Sequence, residues 1–293
     1  MEGKQRKKDV MKRVVSDLQS RKNGCCRITH KQGWLDFLED GDSVFTPGEL
    51  RQVLQRVIKE NPPRGEKLFC LRKRYCFTVT DERNPSRPEE ALERFIVISN
   101  PGEYYGQIPI GGGKESIDIG IKEESNKKFI FVELKPWKSN NAPLYAIVES
   151  LKNLMEYRFI VDNPDEYKKI QRYKEVDLMV LAPQSYWDDY RVNESGALQK
   201  MKRVLNELSA EFGTNISLMV LQIEKDEFLD KCRKICEKRK IDKQDKIRVS
   251  DADAIPELAR DQWKLLVASD KVSARNLKVC RRICVFRSVS TGR

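Results

Sequence analysis

The sequence predicts an α/β, mixed α+β chain in which a central mixed β-sheet is flanked by helices. Three observations predict it. Apolar residues recur at helical spacing in several windows, and short runs rich in Val, Ile and Phe lie between them, bounded by turn residues. Along the chain the two kinds follow the order helix, several strands, helix, strand, helix, strand, which is the order of a layered fold. At 293 residues and 39% hydrophobic, the chain is long enough for one substantial core with extensions.

Val10, Met11, Val14, Val15 and Leu18 predict an amphipathic helix over 8–20 with a basic outer face. A second helix is expected over 47–60. Thr46 is its N-cap, Pro47 occupies a helix start, and Leu50, Val53, Leu54, Val57 and Ile58 form its stripe. Asn61-Pro62-Pro63 ends it. Tyr75, Phe77 and Val79 alternate as one strand, Phe95 to Ile98 reads as another, and the Pro-rich stretch 84–88 between them reads as a surface loop. After Gly111-Gly112-Gly113 come strands over 116–121 and 128–135, joined by a polar turn at Glu124, Ser125 and Asn126 into a hairpin. Leu144, Ile147, Val148, Leu151, Leu154 and Met155 give a helix by i, i+3, i+4, i+7 spacing. A buried strand from Val176 to Ala182, a helix through Leu198, Met201, Val204, Leu205 and Leu208, and an apolar strand from Ile216 to Ile223 complete the pattern.

The charge is unevenly distributed. Residues 1–31 carry 10 Lys/Arg against 3 Asp/Glu and residues 225–293 carry 19 against 11, so the ends hold +7 and +8 and the middle −4 of a total +11. An acidic centre between basic ends suits a polyanion, because Lys and Arg neutralise phosphates and release condensed counterions. No run approaches the roughly 20 apolar residues that span a bilayer, so no membrane partner and a cytoplasmic, unsecreted location are expected. Eight cysteines without a signal peptide fit thiols or metal ligands in a reducing compartment. The sole histidine, His30, excludes nucleases built on histidine pairs and disfavours a Ser-His-Asp hydrolase.

The chemistry concentrates at residues 117–135. Strand alternation puts Ile117, Ile119 and Ile121 on one face and Asp118 on the other. It puts Phe129, Phe131, Glu133 and Lys135 on one face, with Ile130, Val132 and Leu134 opposite. Pairing the two strands brings Asp118 near Glu133, giving two carboxylates and an ammonium at one end of a hairpin. Mg²⁺ prefers oxygen ligands and typically takes one or two carboxylates while keeping several waters. Asp118 and Glu133, with the Leu134 backbone carbonyl as a third oxygen, supply such a set, and Lys135 is placed to orient a water or steady developing charge. A cross-strand salt bridge on a solvated face is the plainer alternative. Against it, strand 128–135 is apolar on both faces, and Pro136-Trp137 ends it abruptly.

Asp118 followed by Glu133-Leu134-Lys135 at the end of an apolar strand, with a helix and another strand after it, resembles the PD-(D/E)XK nuclease signature. Ile117 stands where that family's variable proline would be. The resemblance covers 45–225 as a nuclease core. It leaves 1–44 as a basic helical N-terminal extension and 226–293 as a basic, mainly helical C-terminal appendage. It implies a restriction-endonuclease-like fold, Mg²⁺ as cofactor with Mn²⁺ able to substitute, and DNA as partner. The implied reaction is phosphodiester hydrolysis leaving a 5′-phosphate, with a homodimer so that two centres face two strands. Many members add an acidic residue from the helix preceding the sheet. Glu49 is the choice here, with Glu60 and Glu66 as alternatives and an N-terminal-turn carboxylate as its plain reading. Asn153 and Tyr157 are spaced like the Gln-x-x-x-Tyr of RecB-like nucleases. A catalytically inactive nucleic-acid-binding subunit of the same fold, or a ribonuclease, are the other readings.

Other signals are weaker. Gly111-Gly112-Gly113-Lys114 lacks the spacing of a nucleotide-binding loop. Cys232, Cys236, Cys280 and Cys284 offer four thiolates, but Phe228, Leu229, Cys232, Ile235 and Cys236 share a helical stripe in which cysteine serves as a small hydrophobe. Lys138 beside the motif, and Arg281 and Arg282 in the C-terminal segment, are the expected nucleic-acid contacts.

Overall fold

The computed structural model describes residues 14–16, 31–40, 45–64, 68–71, 75–79, 84–100, 102–111, 115–123, 127–168, 170–240 and 246–270. Of the predicted helix over 8–20, the described residues 14–16 are helical, with Val14 buried. The next helix, α1 (Lys31–Asp40), packs against the body of the protein through Trp34, whose indole donates to the Tyr190 carbonyl at 2.6 Å. Helix α2 (Pro47–Glu60) has the predicted bounds. Thr46 caps it, Pro47 opens it, and Leu50, Val53, Leu54, Val57 and Ile58 are its buried stripe.

Strand β1 (Cys76–Thr78) follows, but residues 95–98 are not a strand. They lie inside α3 (Pro88–Ser99), and Pro88, expected in a loop, occupies its first turn with Glu89 and Glu90. Every residue from Ala91 to Ile98 is buried, so no polar face marked the segment as helical. Its β-branched run Ile96-Val97-Ile98 imitated a core strand.

A six-stranded mixed sheet follows, flanked by helices. Its strands are β2 (Glu103–Pro109), β3 (Ser116–Glu123), β4 (Lys128–Leu134), β5 (Glu175–Pro183), β6 (Ile216–Leu221) and β8 (Lys264–Ala268), side by side in that order. The β2–β3–β4 ribbon is antiparallel, β4–β5–β6 is parallel, and β8 pairs antiparallel with β6. The parallel steps are bridged by α4 (Pro143–Asp162) and by α5 (Gln184–Asp189) with α6 (Ser195–Phe212). Strand β4 is buried at every position, as a strand with parallel and antiparallel neighbours and both faces covered must be.

Alternation divides the core as the sequence predicts for β4. Phe129 and Phe131 pack with α2, α4 and α6 on one face, while Ile130, Val132 and Leu134 pack on the other with Phe95 of α3. Ile119 and Ile121 join the second face, but Ile117 joins the first. Strand β3 pairs with β4 only from Ile119 onward, and before that it is half of a two-stranded ribbon with β2. Such ribbons twist strongly, which turns Ile117 over.

The described part of 226–293 is not a helical appendage. Helix α7 (Lys225–Lys238) buries Phe228, Cys232 and Cys236 against α3, β7 (Lys246–Arg248) pairs with β1, and β8 completes the main sheet. The fold therefore runs past residue 225 to Ala268. The run Leu265 to Ala268 is anchored by the buried Trp263 and by register with β6. Among the described residues, no helix is long and apolar enough to cross a membrane.

Candidate functional site

The hairpin brings the predicted groups together. Its register pairs Gly120 with Phe131 and Ile119 with Val132, which brings Asp118, one residue beyond the last pair, close to Glu133. There the backbone N–H of Leu134 donates to Asp118 Oδ2 at 2.9 Å, fixing the carboxylate at the strand end. The Lys135 backbone N–H remains tied to the Leu181 carbonyl of β5 at 2.9 Å, so its side chain leaves from an anchored position. Lys135 Nζ donates to Glu133 Oε1 at 2.6 Å. It also donates to Glu149 Oε2 at 3.0 Å, a carboxylate on α4 that the sequence reading did not select.

Two carboxylates thus hold one ammonium and Asp118 lies near enough for its charge to act on it, in a setting where Glu133 is 5% and Lys135 6% exposed. Burial lifts the Asp118 carboxyl to about 6, against the lowering pull of Lys135 and the Leu134 N–H. Burial and the neighbouring Asp118 hold Glu133 well above the usual carboxylate range. For Lys135, burial alone would lower the value, but Glu133, Glu149 and Asp118 outweigh it and hold the ammonium well above its ordinary range. Burial likewise opposes ionisation of Glu149, and Lys135, Glu133 and Lys152 together outweigh it to bring that carboxyl below its usual value. The cluster gathers three carboxyl groups about the Lys135 ammonium, with Lys152 a further opposite charge to Glu149.

Asp118 and Leu134 open onto a cleft of about 320 Å³ whose other wall is α3 and β2, with Arg87, Glu90, Glu93, Arg94 and Gln107 lining it. Glu93 is buried, paired with Arg94, and accepts from Gln107 Nε2 at 2.6 Å, while Ser116 Oγ donates to Gln107 Oε1 at 3.0 Å. Burial raises the Glu93 carboxyl to about 8, with Asp118 adding to the effect against Arg94. Gly106 lies beneath it, and a Cβ there would stand 2.6 Å from Glu93 Oε1.

Glu49 is not at this site; it has a structural role. It is the third residue of α2, and its carboxylate accepts from the Thr46 N–H at 2.8 Å while the Thr46 hydroxyl accepts from the Glu49 N–H. Mistaking α3 for a strand made α2 look like the helix preceding the sheet. The helix that does precede it carries Glu93.

Lys138 is exposed just beyond the buried Trp137. Arg281, Arg282, Cys280, Cys284, His30 and Glu66 lie outside the described residues. Asn153 is buried on α4. Tyr157 does structural work, its hydroxyl accepting from the Tyr173 N–H at 2.7 Å and donating to the Gln171 carbonyl at 3.4 Å. Lys152, one turn from Glu149, is buried against Glu156 at 3.4 Å and Glu115 at 3.5 Å. Gly111 makes room for that pair, since a Cβ there would meet both carboxylates. Cys232 and Cys236 are buried in the apolar core, and burial pushes the Cys232 thiol up, away from the thiolate that metals require.

Among the described residues, no group of three or more His, Cys, Asp or Glu side chains is arranged to hold a metal ion. A preformed all-protein cage is therefore not what the cluster offers. Two carboxylates, a strand-end carbonyl and an open cleft fit a hard cation that keeps several of its waters. No protein-family model, curated protein or solved structure matches the chain.

Proposed function

We propose that the chain is a divalent-metal-dependent nuclease with a restriction-endonuclease-like core, hydrolysing DNA phosphodiester bonds. The observation that carries this reading is the meeting of Asp118, Glu133 and Lys135 at the end of the buried strand β4, with Asp118 opening onto a cleft. Asp118, Glu133 and the Leu134 carbonyl would hold Mg²⁺, or Mn²⁺ in its place. When bound, the cation supplies Lewis-acid polarisation of the phosphate and a more acidic water. Lys135 stays an ammonium at neutral pH, so it orients the attacking water and stabilises developing charge and is not the base. Glu93, from the helix preceding the sheet, takes the place proposed for Glu49. The basic ends of the chain, +7 and +8, supply the attraction for phosphate, and a homodimer would set two centres against two strands.

Purified protein incubated with plasmid DNA and Mg²⁺, beside Asp118→Ala and Lys135→Ala, tests this. Cutting by the wild type alone, abolished by EDTA, is the expected result. Metal-independent binding without cutting would assign the chain to nucleic-acid binding alone, and faster cutting of RNA would make it a ribonuclease. Variants that cut as well as the wild type overturn the site.

A further inference from the structure

Helix α4 presents Glu149 to the cluster from the opposite side to the hairpin. Lys135 Nζ is held by two acceptors, Glu133 Oε1 at 2.6 Å and Glu149 Oε2 at 3.0 Å. On the proposed nuclease reading, Glu133 must commit an oxygen to a cation, and an ammonium on that oxygen opposes the cation by like-charge repulsion. A buried ammonium cannot simply let go, because an unpartnered buried charge is strongly destabilising. It needs a second carboxylate that stays in place.

Glu149 meets that need. It sits on the central helix, and Lys152 one turn further on faces it as an opposite charge. Lys152 is itself braced by Glu156 at 3.4 Å and Glu115 at 3.5 Å. Glu149 is thus held in contact by Lys135 and favoured as a carboxylate by the nearby charge of Lys152. We propose that Glu149 is a positioning residue acting through Lys135: it retains the ammonium when Glu133 is committed to a divalent cation, so that cation entry and lysine placement do not compete. This rests on the assignment of Glu133 as a ligand.

The test is Mn²⁺ affinity by titration calorimetry on the full chain, for wild type, Glu149→Gln, Lys135→Gln and the double variant, with folding checked by circular dichroism. Glu149→Gln is expected to weaken Mn²⁺ about tenfold in the wild-type background and less than about twofold in the Lys135→Gln background, a coupling of the size that contacting residues show. Glu149→Asp, which keeps the charge, should recover part of the loss, and it replaces Glu149→Gln in the cycle if that variant does not fold. An equal loss in both backgrounds makes Glu149 a ligand in its own right and overturns the proposal, as does no loss in either.

DNA cleavage measured alongside separates the two readings. The coupling without cleavage would sink the nuclease and leave Glu149 standing. Cleavage without the coupling does the reverse. A wild type that binds no Mn²⁺ overturns both.

Discussion

Replacing Asp118 by Asn separates a functional cluster from a structural ion pair, because the two make opposite predictions about stability. Asn keeps the shape and an acceptor for the Leu134 N–H, and removes one negative charge from a site that gathers three carboxyl groups. The folded carboxyl titrates at about 6 against 3.8 for an ordinary aspartate. A shift of about two units, at about 1.4 kcal/mol each, makes ionised Asp118 a cost on the order of 3 kcal/mol to the folded state. Glu133 regains its proton less readily once Asp118 is neutral, and the cleft admits water, so about 1–3 kcal/mol of that should appear as added stability at pH 8.

The sign follows from the raised value. The unfolded chain loses this proton near 3.8 and the folded chain near 6, so the wild type loses stability across that window as pH rises, and the variant does not. Thermal melts in EDTA should show Asp118→Asn above the wild type by about 2–4 °C per kcal/mol at pH 8. The gap should close towards pH 4. Equal destabilisation of the variant at both pH values would refute the reasoning and make Asp118 an ordinary structural partner.

Other outcomes follow from the same geometry. Glu93→Gln should lower cleavage about 10²-fold or more, whereas Glu49→Ala should cost about 0.5–2 kcal/mol of stability through its capping box and leave cleavage per folded molecule unchanged; steady-state rates beside urea melts check both. With Glu93 held up to about 8 and Glu156 to about 7 against 4.5 unfolded, the folded chain binds more protons between those values. The melting temperature in EDTA should therefore fall from pH 5 to pH 8 and then flatten; a rise over that range contradicts the assignment. Gly120→Ala would place a Cβ 2.2 Å from Ile108 Cδ1 and 2.6 Å from the Phe129 ring. Overpacking of this kind costs about 1–3 kcal/mol, read as a lower urea midpoint at unchanged slope.

The legible parts of the sequence were those where one face differs from another. Helix α2 announced itself through Thr46, Pro47 and a stripe of five buried apolar residues, and its predicted bounds match the structure. The hairpin β3–β4 was legible because Asp118, Glu133 and Lys135 interrupt otherwise apolar strands at period two. Where all faces are buried, that contrast disappears. Helix α3 is buried from Ala91 to Ile98, so its sequence reads as a strand, and α2 with Glu49 then stands as the helix before the sheet. Glu149 was hidden for the same reason, since α4 buries residues all round and its apolar stripe drew the eye past its charges. Strand β2 alternates Tyr104, Gly106 and Ile108 inward with half-buried residues between them, a pattern that the glycine makes faint. Strand β8 is only Lys264–Ala268, too short to stand out from its surroundings by pattern alone.

On the proposed reading, Asp118 serves chemistry at a cost in stability. The most direct test is the rate of cleavage of an end-labelled DNA duplex across a Mg²⁺ titration, comparing wild type with Asp118→Asn at a temperature where both are folded. Cleavage by the wild type that requires Mg²⁺, with a loss of at least about 10²-fold in the more stable variant, is the predicted result. Cleavage by Asp118→Asn at the wild-type rate, or by the wild type in EDTA, would contradict it.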